Sequence, residues 1–324
     1  MKIAVLLANM GGPDSLEAVE PFLTQIFSDP DIIDIPLPEF VRKPLVRWLA
    51  KKRAPESRGI YEKLGGKTPL LEITEQQALA LKQALSSDTN HRFEVFPAMR
   101  YWHPFMEKVW QKIEKQDFDR IVVLSMYPFY STTTSGSIKN ELNRLIQKYN
   151  TPPGKVKFID RFGTHPLFVQ SMVELLKENL TQEDRQKPKH VLFSAHSIPI
   201  KRINNGDPYF EEVKQAVDLL RAHFPEEEVK FHLSFQSKLG PIEWLSPATD
   251  DKIEELASQG IKQLLVFPLG FVADNSETVY EIGMLYQKLA QEKGIEDYRR
   301  IEALNVRPMF IEALKQIVLE NVEP

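Results

Sequence analysis

The chain has 324 residues, of which 42% are hydrophobic and 27% are charged, a balance typical of a folded globular protein. Its formal net charge of −4 excludes the overall basic field typical of nucleic-acid-binding proteins. Cysteine is absent, which excludes disulfides, thiolate nucleophiles, cysteine-based zinc sites and cysteine-ligated iron–sulfur clusters.

The chain opens with MKIAVLLANMGGP. The apolar run IAVLLA is shorter than the core of a secretory signal and has no small-residue cleavage site after it. We interpret it as a buried parallel strand. No run approaches the ~20 apolar residues that span a bilayer. We therefore expect a cytoplasmic protein.

Eight short apolar runs are bounded by turn residues, and they are nearly continuous in hydrophobicity rather than alternating. This pattern predicts strands that are buried on both faces, as in parallel sheets. The runs are Ile3–Ala8, Phe93–Ala98, Ile121–Met126, Val156–Ile159, Val191–Ala195, Lys230–Phe235, Leu264–Pro268 and Ile301–Leu304.

Amphipathic stretches lie between these runs, and they include Pro104–Gln116, Leu167–Leu180, Asp207–Phe224 and Asp250–Gln259. Strands that alternate with helices predict an α/β fold with open parallel sheets. The strands divide four and four near Gly163. We predict an N-terminal domain over residues 1–163 and a C-terminal domain over 164–324, with the last helix packing back on the first domain. Ligands of such folds bind beyond the carboxyl ends of the strands.

One insertion of about eighty residues separates the first two predicted strands, which is far more than one crossover helix needs. Its segment 39–58, EFVRKPLVRWLAKKRAPESR, is basic and carries Phe40, Leu45, Trp48 and Leu49. One interpretation is a surface helix with a solvated basic face. The other is a lip that contacts a membrane or an apolar, anionic ligand.

Nucleotide-binding and hydrolase signatures are absent. No G-x-G-x-x-G, G-x-x-x-x-G-K-[ST] or G-x-S-x-G motif occurs. Gly11-Gly12-Pro13 and Gly65-Gly66 are too short for phosphate loops, and we predict that they form turns.

His196 lies in LFSAHSIP, directly after a predicted strand and among small and polar residues. An imidazole in this place can take up a proton or ligate a metal. The alternative is a histidine that is hydrogen-bonded at a strand end. His103, in MRYWHP, is better explained as such an edge histidine.

Glu277 and Glu281 follow the seventh predicted strand and share one helix face at i and i+4. Glu277 also fits a capping box with Asp274 as the N-cap. However, His196 and Glu277 both follow strands of the same half. A histidine and a carboxylate at one sheet edge form a plausible weak site for a divalent metal such as Fe²⁺.

The loop 234–249 lies between His196 and Glu277 in sequence. It contains no obvious catalytic group, and we interpret it as a wall of the site.

Several segments together resemble the ferrochelatase family, and the resemblance extends over almost the whole chain. The first half contributes LLANMGGP at 6–13, YEKLGGKTPL at 61–70, AMRYWHP at 98–104 and YPFYSTTTSGS at 127–137. The second half contributes LFSAHSIP, GDPY at 206–209, SFQS, GPIEWLSP and PLGFVADNSET.

The resemblance implies two Rossmann-like domains with a porphyrin cleft between them, and insertion of Fe²⁺ into the porphyrin in haem biosynthesis. It implies that His196 and Glu277 are the catalytic and metal-binding pair, facing each other across the macrocycle, with Glu281 as an accessory acid. The residues that it places near the porphyrin are Met10, Arg100, Tyr101, Ser131, Thr132 and Phe271. No permanently bound cofactor and no iron–sulfur cluster is expected, since Fe²⁺ is a substrate. We expect a monomer with peripheral membrane contact.

Two departures from the family pattern concern iron delivery. Gly283 and Leu285 stand where many members continue a row of acids, so Glu281 alone extends that row. Asn275 stands where many relatives have histidine.

Two alternatives to a ferrochelatase are a tetrapyrrole carrier without catalysis and a chelatase for cobalt or nickel. The sequence leaves open whether His196 is chiefly a base or chiefly a metal ligand.

Overall fold

The structure is a computed structural model, and it describes residues 1–33, 35, 37–87, 90–180, 189–238 and 240–322. The chain divides into two compact units. Unit 1 comprises Met1–Arg161 together with Leu314–Pro324, and unit 2 comprises Phe162–Ala313.

Unit 1 is built on a four-stranded parallel sheet of order β2-β1-β3-β4. The strands are β1 (Lys2–Asn9), β2 (Arg92–Met99), β3 (Arg120–Ser125) and β4 (Val156–Ile159). The helices are α1 (Val19–Ser28), α2 (Glu39–Lys63), α3 (Leu70–Leu85), α4 (Met106–Glu114) and α5 (Ser135–Tyr149), with a short 3₁₀ helix at Pro153–Lys155. The central strand β1 has six fully buried residues in succession, Ile3–Ala8, because helices cover both faces of the sheet.

Unit 2 repeats this strand order as β6-β5-β7-β8, again all parallel. The strands are β5 (Lys189–His196), β6 (Val229–Gln236), β7 (Gln263–Leu269) and β8 (Asp297–Arg300). The helices are α6 (Pro166–Asn179), α7 (Ile200–Asn204), α8 (Tyr209–Arg221), α9 (Thr249–Ser258), a π-helix at Glu277–Leu285 and α10 (Tyr286–Glu292), and the last helix is α11 (Pro308–Leu319).

The predicted α/β class with two parallel four-stranded sheets is confirmed, but the position of the eighth strand is wrong. The strand is Asp297–Arg300, and the predicted run Ile301–Leu304 lies beyond it. The amide of Ile301 still donates to the carbonyl of Val266 at 2.8 Å, after which the chain leaves the sheet. Ile301 and Leu304 are at most 2% exposed, so their hydrophobicity reflects burial in a connection rather than in a sheet.

The predicted helix over 39–58 is confirmed and continues to Lys63 as α2. One stripe of small and apolar side chains faces the interior of unit 1, namely Val46, Ala50, Ala54 and Tyr61. Their spacing of about four residues is that of one helix face, which leaves the basic residues on the solvent side.

The segment after β1 brings two parts of the backbone into close approach. Gly11 has a φ of 85°, which only glycine adopts without strain. A Cβ atom on Gly12 would lie 2.5 Å from Cγ2 of Thr68, and the amide of Thr68 donates to the carbonyl of Pro13 at 3.0 Å. Gly11-Gly12-Pro13 is an irregular segment and not the predicted turn, and Gly12 is required by the packing of Thr68.

We expect Gly12→Ala to lower the free energy of unfolding by about 1–3 kcal/mol, because the added methyl overlaps the Thr68 methyl. Thr68→Ser removes that methyl and keeps the hydroxyl. The double variant Gly12→Ala/Thr68→Ser should therefore be more stable than Gly12→Ala alone, as measured by urea denaturation. Additive losses in the double variant would contradict the proposed overlap.

A histidine pair links β5 to β6 in unit 2. Nδ1 of His190 and Nε2 of His232 lie 3.0 Å apart, and the two rings are parallel within 5° with centroids 5.2 Å apart. These distances place the rings edge to edge, so one N–H donates to the other ring nitrogen. Burial, then Lys230, lowers the pKa of His190. Burial, then His190 and Lys252, lowers the pKa of His232 to about 4.

This pair should make the protein less stable in acid. Both histidines have lowered pKa values when folded, so the unfolded chain binds more protons as the pH falls below about 6.5. The contribution of His232 is complete above about pH 6.5 and is lost as the pH falls toward about 4. We expect His232→Asn to flatten the pH dependence of the free energy of unfolding over this range. The exposed His223 offers a matched control, and His223→Asn should keep the wild-type slope. An unchanged slope in His232→Asn would refute the assignment.

Candidate active site

Three loops of unit 2 meet at one edge of its sheet. They follow β6, β5 and β7, which are neighbours in the sheet, and carboxyl ends of adjacent parallel strands lie together. The β5 end supplies His196, the β6 end supplies Gln236 and Ser237, and the β7 end leads through Phe271 to Glu277.

His196 and Glu277 are in direct contact. Nδ1 of His196 lies 2.8 Å from Oε2 of Glu277, and the two side chains are 42% and 26% exposed. The backbone at His196 is held by Tyr209, whose hydroxyl donates to the His196 carbonyl at 2.9 Å. The structure thus brings together the two residues that the sequence predicted as a pair.

The expectation that this pair faces across a macrocycle stays a prediction, and it requires the two side chains to separate. A flat ring between two side chains needs about 3.5–4.0 Å of separation on each of its faces. The 2.8 Å contact leaves no such space between the two side chains in this arrangement.

The hydrogen bond to Glu277 also determines which nitrogen of His196 is available. When the imidazole is neutral and Glu277 is ionised, Nδ1 carries the proton that it donates and Nε2 keeps its lone pair. Among the residues that the structure describes, none bonds to Nε2. Burial opposes the imidazolium, but the charge and hydrogen bond of Glu277 outweigh it and raise the pKa of His196. The same imidazolium, with hydrogen bonds from Ser237 and Gln236, overcomes burial and lowers the pKa of Glu277.

The capping-box interpretation of Glu277 is also wrong, because Asn275 provides the cap. Its Oδ1 accepts from the amides of Glu277 and Thr278 at 2.8 and 3.2 Å. Asp274 instead accepts hydrogen bonds from the Thr278 hydroxyl at 2.6 Å and from Arg300 at 2.6 Å. The backbone that starts the helix is therefore satisfied without the Glu277 carboxylate, which remains free to contact His196.

Glu277 begins a π-helix, a wider helix with i→i+5 hydrogen bonds that is frequent at functional sites. Within it, Gly283 packs against Arg300. A Cβ atom on Gly283 would lie 3.2 Å from Cδ and 3.3 Å from Nε of Arg300. The missing acid at this position is thus explained by an arginine side chain lying against the helix.

Glu281 lies one turn beyond Glu277 and has four donors. Its carboxylate accepts from the Ser237 amide at 2.9 Å, the Ser237 hydroxyl at 2.5 Å, Tyr286 at 2.7 Å and Gln236 at 3.3 Å. Burial, followed by repulsion from Glu277, raises the pKa of Glu281 despite these donors. The two carboxylates therefore titrate apart, with Glu277 the more acidic one.

Gln236 and Ser237 are the functional residues that the sequence interpretation missed, since it assigned their loop to the wall of the site. Both contact the Glu277–Glu281 pair, and Gln236 is fixed in turn by the Ser194 hydroxyl at 2.7 Å. Their position at the end of β6 was visible in the sequence. The backbone conformation of Ser237, with a φ of 66°, was not.

At the corresponding sheet edge of unit 1, Asp29 gathers the residues around Arg100. Its Oδ2 accepts from Arg100 at 2.8 Å, from the Tyr101 hydroxyl at 2.7 Å and from the Ser137 hydroxyl at 2.6 Å. Tyr101 is 3% exposed, and burial raises its pKa. Arg100 is 21% exposed, and within the described part of the chain its Nη1 has no partner. Arg100 therefore retains donors for a ligand, whereas Tyr101 supports it from the interior.

The remaining predicted site residues differ in exposure. Met10 follows β1 and is partly exposed, as are Thr132 in unit 1 and Phe271 in unit 2. Ser131 is fully buried, with its hydroxyl 2.9 Å from that of Thr133 and its carbonyl accepting from the Gly136 amide at 2.9 Å. Ser131 thus shapes its own loop in this conformation.

The unit 2 site can accept a proton, and among the described residues no three His, Asp or Glu side chains form a ready-made metal site. His196 offers a basic Nε2, and the Glu277 carboxylate compensates the charge that forms on the ring. Glu277 and Glu281 provide oxygen ligands for a divalent metal.

Comparison with known proteins gives one consistent result along the whole chain. A sequence model of the ferrochelatase family matches residues 2–322. The chain is 42% identical to the ferrochelatase of Sulfurihydrogenibium sp. (strain YO3AOP1), over 99% of this chain and 98% of that protein. It is also 42% identical to the ferrochelatase of Aquifex aeolicus (strain VF5), over 99% of this chain and all of that protein.

Solved structures show the same type of fold. SirB from Bacillus subtilis with Fe³⁺ superimposes with a TM-score of 0.58 at 14% identity, covering 99% of this chain and 95% of that one. CbiX, described as the terminal enzyme of sirohaem biosynthesis in denitrifying bacteria, gives a TM-score of 0.55 at 14% identity over the full length of both chains.

Proposed function

The chain belongs to the ferrochelatase family and is an enzyme of haem biosynthesis that inserts Fe²⁺ into a porphyrin, and we propose that His196 is its base and Glu277 its partner carboxylate. The observation that supports these roles is the 2.8 Å contact between Nδ1 of His196 and Oε2 of Glu277 at the end of β5. A tetrapyrrole carrier that catalyses no reaction does not need a base paired with a carboxylate.

Insertion removes two N–H protons from the porphyrin. Nε2 of His196 accepts a pyrrole proton while Nδ1–H remains directed at Glu277, whose charge stabilises the imidazolium. The ring is 42% exposed, so the proton passes on to solvent and His196 is ready for the second one. In this proposal His196 acts as the base through Nε2, while its other nitrogen is bonded to Glu277.

Glu277 and Glu281 form the proposed first binding site for Fe²⁺, on the same side of the porphyrin as His196. Carboxylate oxygens bind a divalent ion loosely enough for transfer to the porphyrin nitrogens. The lowered pKa of Glu277 keeps its carboxylate charged for this step.

The porphyrin contacts are proposed residue by residue. Met10 and Phe271 supply apolar contacts that help to bend the macrocycle. The free energy needed to bend the ring comes from binding of the rest of the macrocycle. Arg100 and Thr132 offer donors to a carboxylate side chain of the porphyrin. Tyr101 and Ser131 act from the interior by holding Arg100 and the loop after β3.

We expect His196→Ala to lower kcat for Fe²⁺ insertion by about 10²–10⁴-fold, because the base is lost. Glu277→Gln should lower it as well, since the neutral amide cannot stabilise the imidazolium. Porphyrin binding, followed by fluorescence, should change by no more than a few-fold. Assays with protoporphyrin IX and coproporphyrin III in competition identify the preferred porphyrin.

The exposed His223 on the surface of unit 2 is the matched control, and His223→Ala should insert iron at the wild-type rate. A wild-type rate in His196→Ala would rule out the proposed base. Rapid insertion of Co²⁺ or Ni²⁺ but not Fe²⁺ by the wild-type enzyme would instead assign a different metal.

A second proposal concerns the basic helix α2. Residues 39–58 contain seven basic and two acidic residues, and Phe40, Val41 and Trp48 are 79%, 40% and 57% exposed. Exposed aromatic side chains among basic ones are typical of peripheral contact with anionic lipid. In the described part of the chain, no helix combines the length and apolarity that crossing a bilayer requires.

We expect the protein to float with vesicles that contain phosphatidylglycerol at low salt, and Phe40→Ser/Trp48→Ser to weaken this binding several-fold. Leu219→Ser removes an exposed apolar side chain from α8 and should have no effect. Absence of co-migration by the wild-type protein at low salt would eliminate the proposed membrane contact.

A further inference from the structure

Ser237 has an unusual backbone conformation directly beside the reacting pair. Its φ of 66° lies in the left-handed region, which costs a serine free energy that glycine would not lose. Ser237 follows β6, the strand next to the one that ends in His196. Strained residues that persist at a site are often held there because their side chain or amide is used.

Both polar groups of Ser237 are directed at the carboxylates. Its amide donates to Oε1 of Glu281 at 2.9 Å, and its hydroxyl donates to Oε2 of Glu281 at 2.5 Å. The same hydroxyl oxygen lies 3.4 Å from Oε2 of Glu277. The left-handed conformation is what allows the amide and the hydroxyl to reach one carboxylate together.

These contacts oppose a repulsion. Two carboxylates in this proximity repel each other, and Glu281 could relieve the repulsion by turning toward solvent while keeping its bond to Tyr286. The two-point contact with Ser237 prevents this turn and keeps Glu281 beside Glu277. A glycine at 237 would provide the amide and the backbone conformation but not the second donor.

We propose that Ser237 is a positioning residue that fixes the spacing of Glu277 and Glu281 for Fe²⁺, an inference that rests on the proposed metal-inserting function. Ser237 acts through the two carboxylates, so its loss affects the handling of the metal. The porphyrin contacts and the base remain in place when the hydroxyl is removed.

The test compares Ser237→Gly and Ser237→Ala with wild-type enzyme in anaerobic steady-state assays. Both variants lose the hydroxyl, but only Ser237→Gly also relieves the backbone strain. We expect KM for Fe²⁺ to rise about tenfold in both, as fits the loss of a hydrogen bond to a charged group. KM for the porphyrin should stay within twofold, and Ser237→Gly should melt at a temperature equal to or above that of Ser237→Ala.

Two further variants separate positioning from general damage. Ser237→Thr keeps a hydroxyl, so its KM for Fe²⁺ should be closer to wild type than that of Ser237→Ala even if it melts lower. Ser197→Ala removes a neighbouring hydroxyl that donates to the Leu245 carbonyl, and it should leave both KM values unchanged.

A KM for Fe²⁺ within twofold of wild type in both Ser237→Gly and Ser237→Ala would overturn the proposal. A parallel rise of both KM values would also overturn it, because that result indicates a structural role. Failure of the wild-type enzyme to insert Fe²⁺ would instead count against the proposed function, so the two failures are distinguishable.

Discussion

The hydrogen bond between Nδ1 of His196 and Oε2 of Glu277 joins two residues that are 81 positions apart in the chain, and the chemistry of unit 2 depends on it. It forms because β5 and β7 are adjacent parallel strands whose carboxyl ends open at the same edge. It directs Nδ1 of His196 at Glu277 and leaves Nε2 without a partner among the described residues.

Neighbouring residues satisfy the backbone and the charges around this hydrogen bond. Asn275 caps the start of the π-helix, so that Glu277 need not do so, and Asp274 connects the same turn to Arg300. In unit 1, Asp29 plays a comparable part for Arg100. Each buried carboxylate thereby receives several donors, which offsets the cost of taking its charge out of water.

The acids that follow β7 form a compact group at the start of the π-helix. Arg300 packs against Gly283, and Leu285 is 48% exposed. The acids are Glu277 and Glu281, and Ser237 holds them side by side.

The sequence by itself determined the α/β class, the two parallel sheets and the candidate residues His196 and Glu277, because continuous apolar runs and the residues that follow them are local features. It placed the last strand at Ile301–Leu304 because buried connections and buried strands have the same hydrophobicity. Only the tertiary structure decided that Asn275 caps the helix, that His196 and Glu277 touch, and that Ser237 contacts both acids. Those facts depend on side-chain directions and on a positive φ, which are set by contacts between residues distant in sequence.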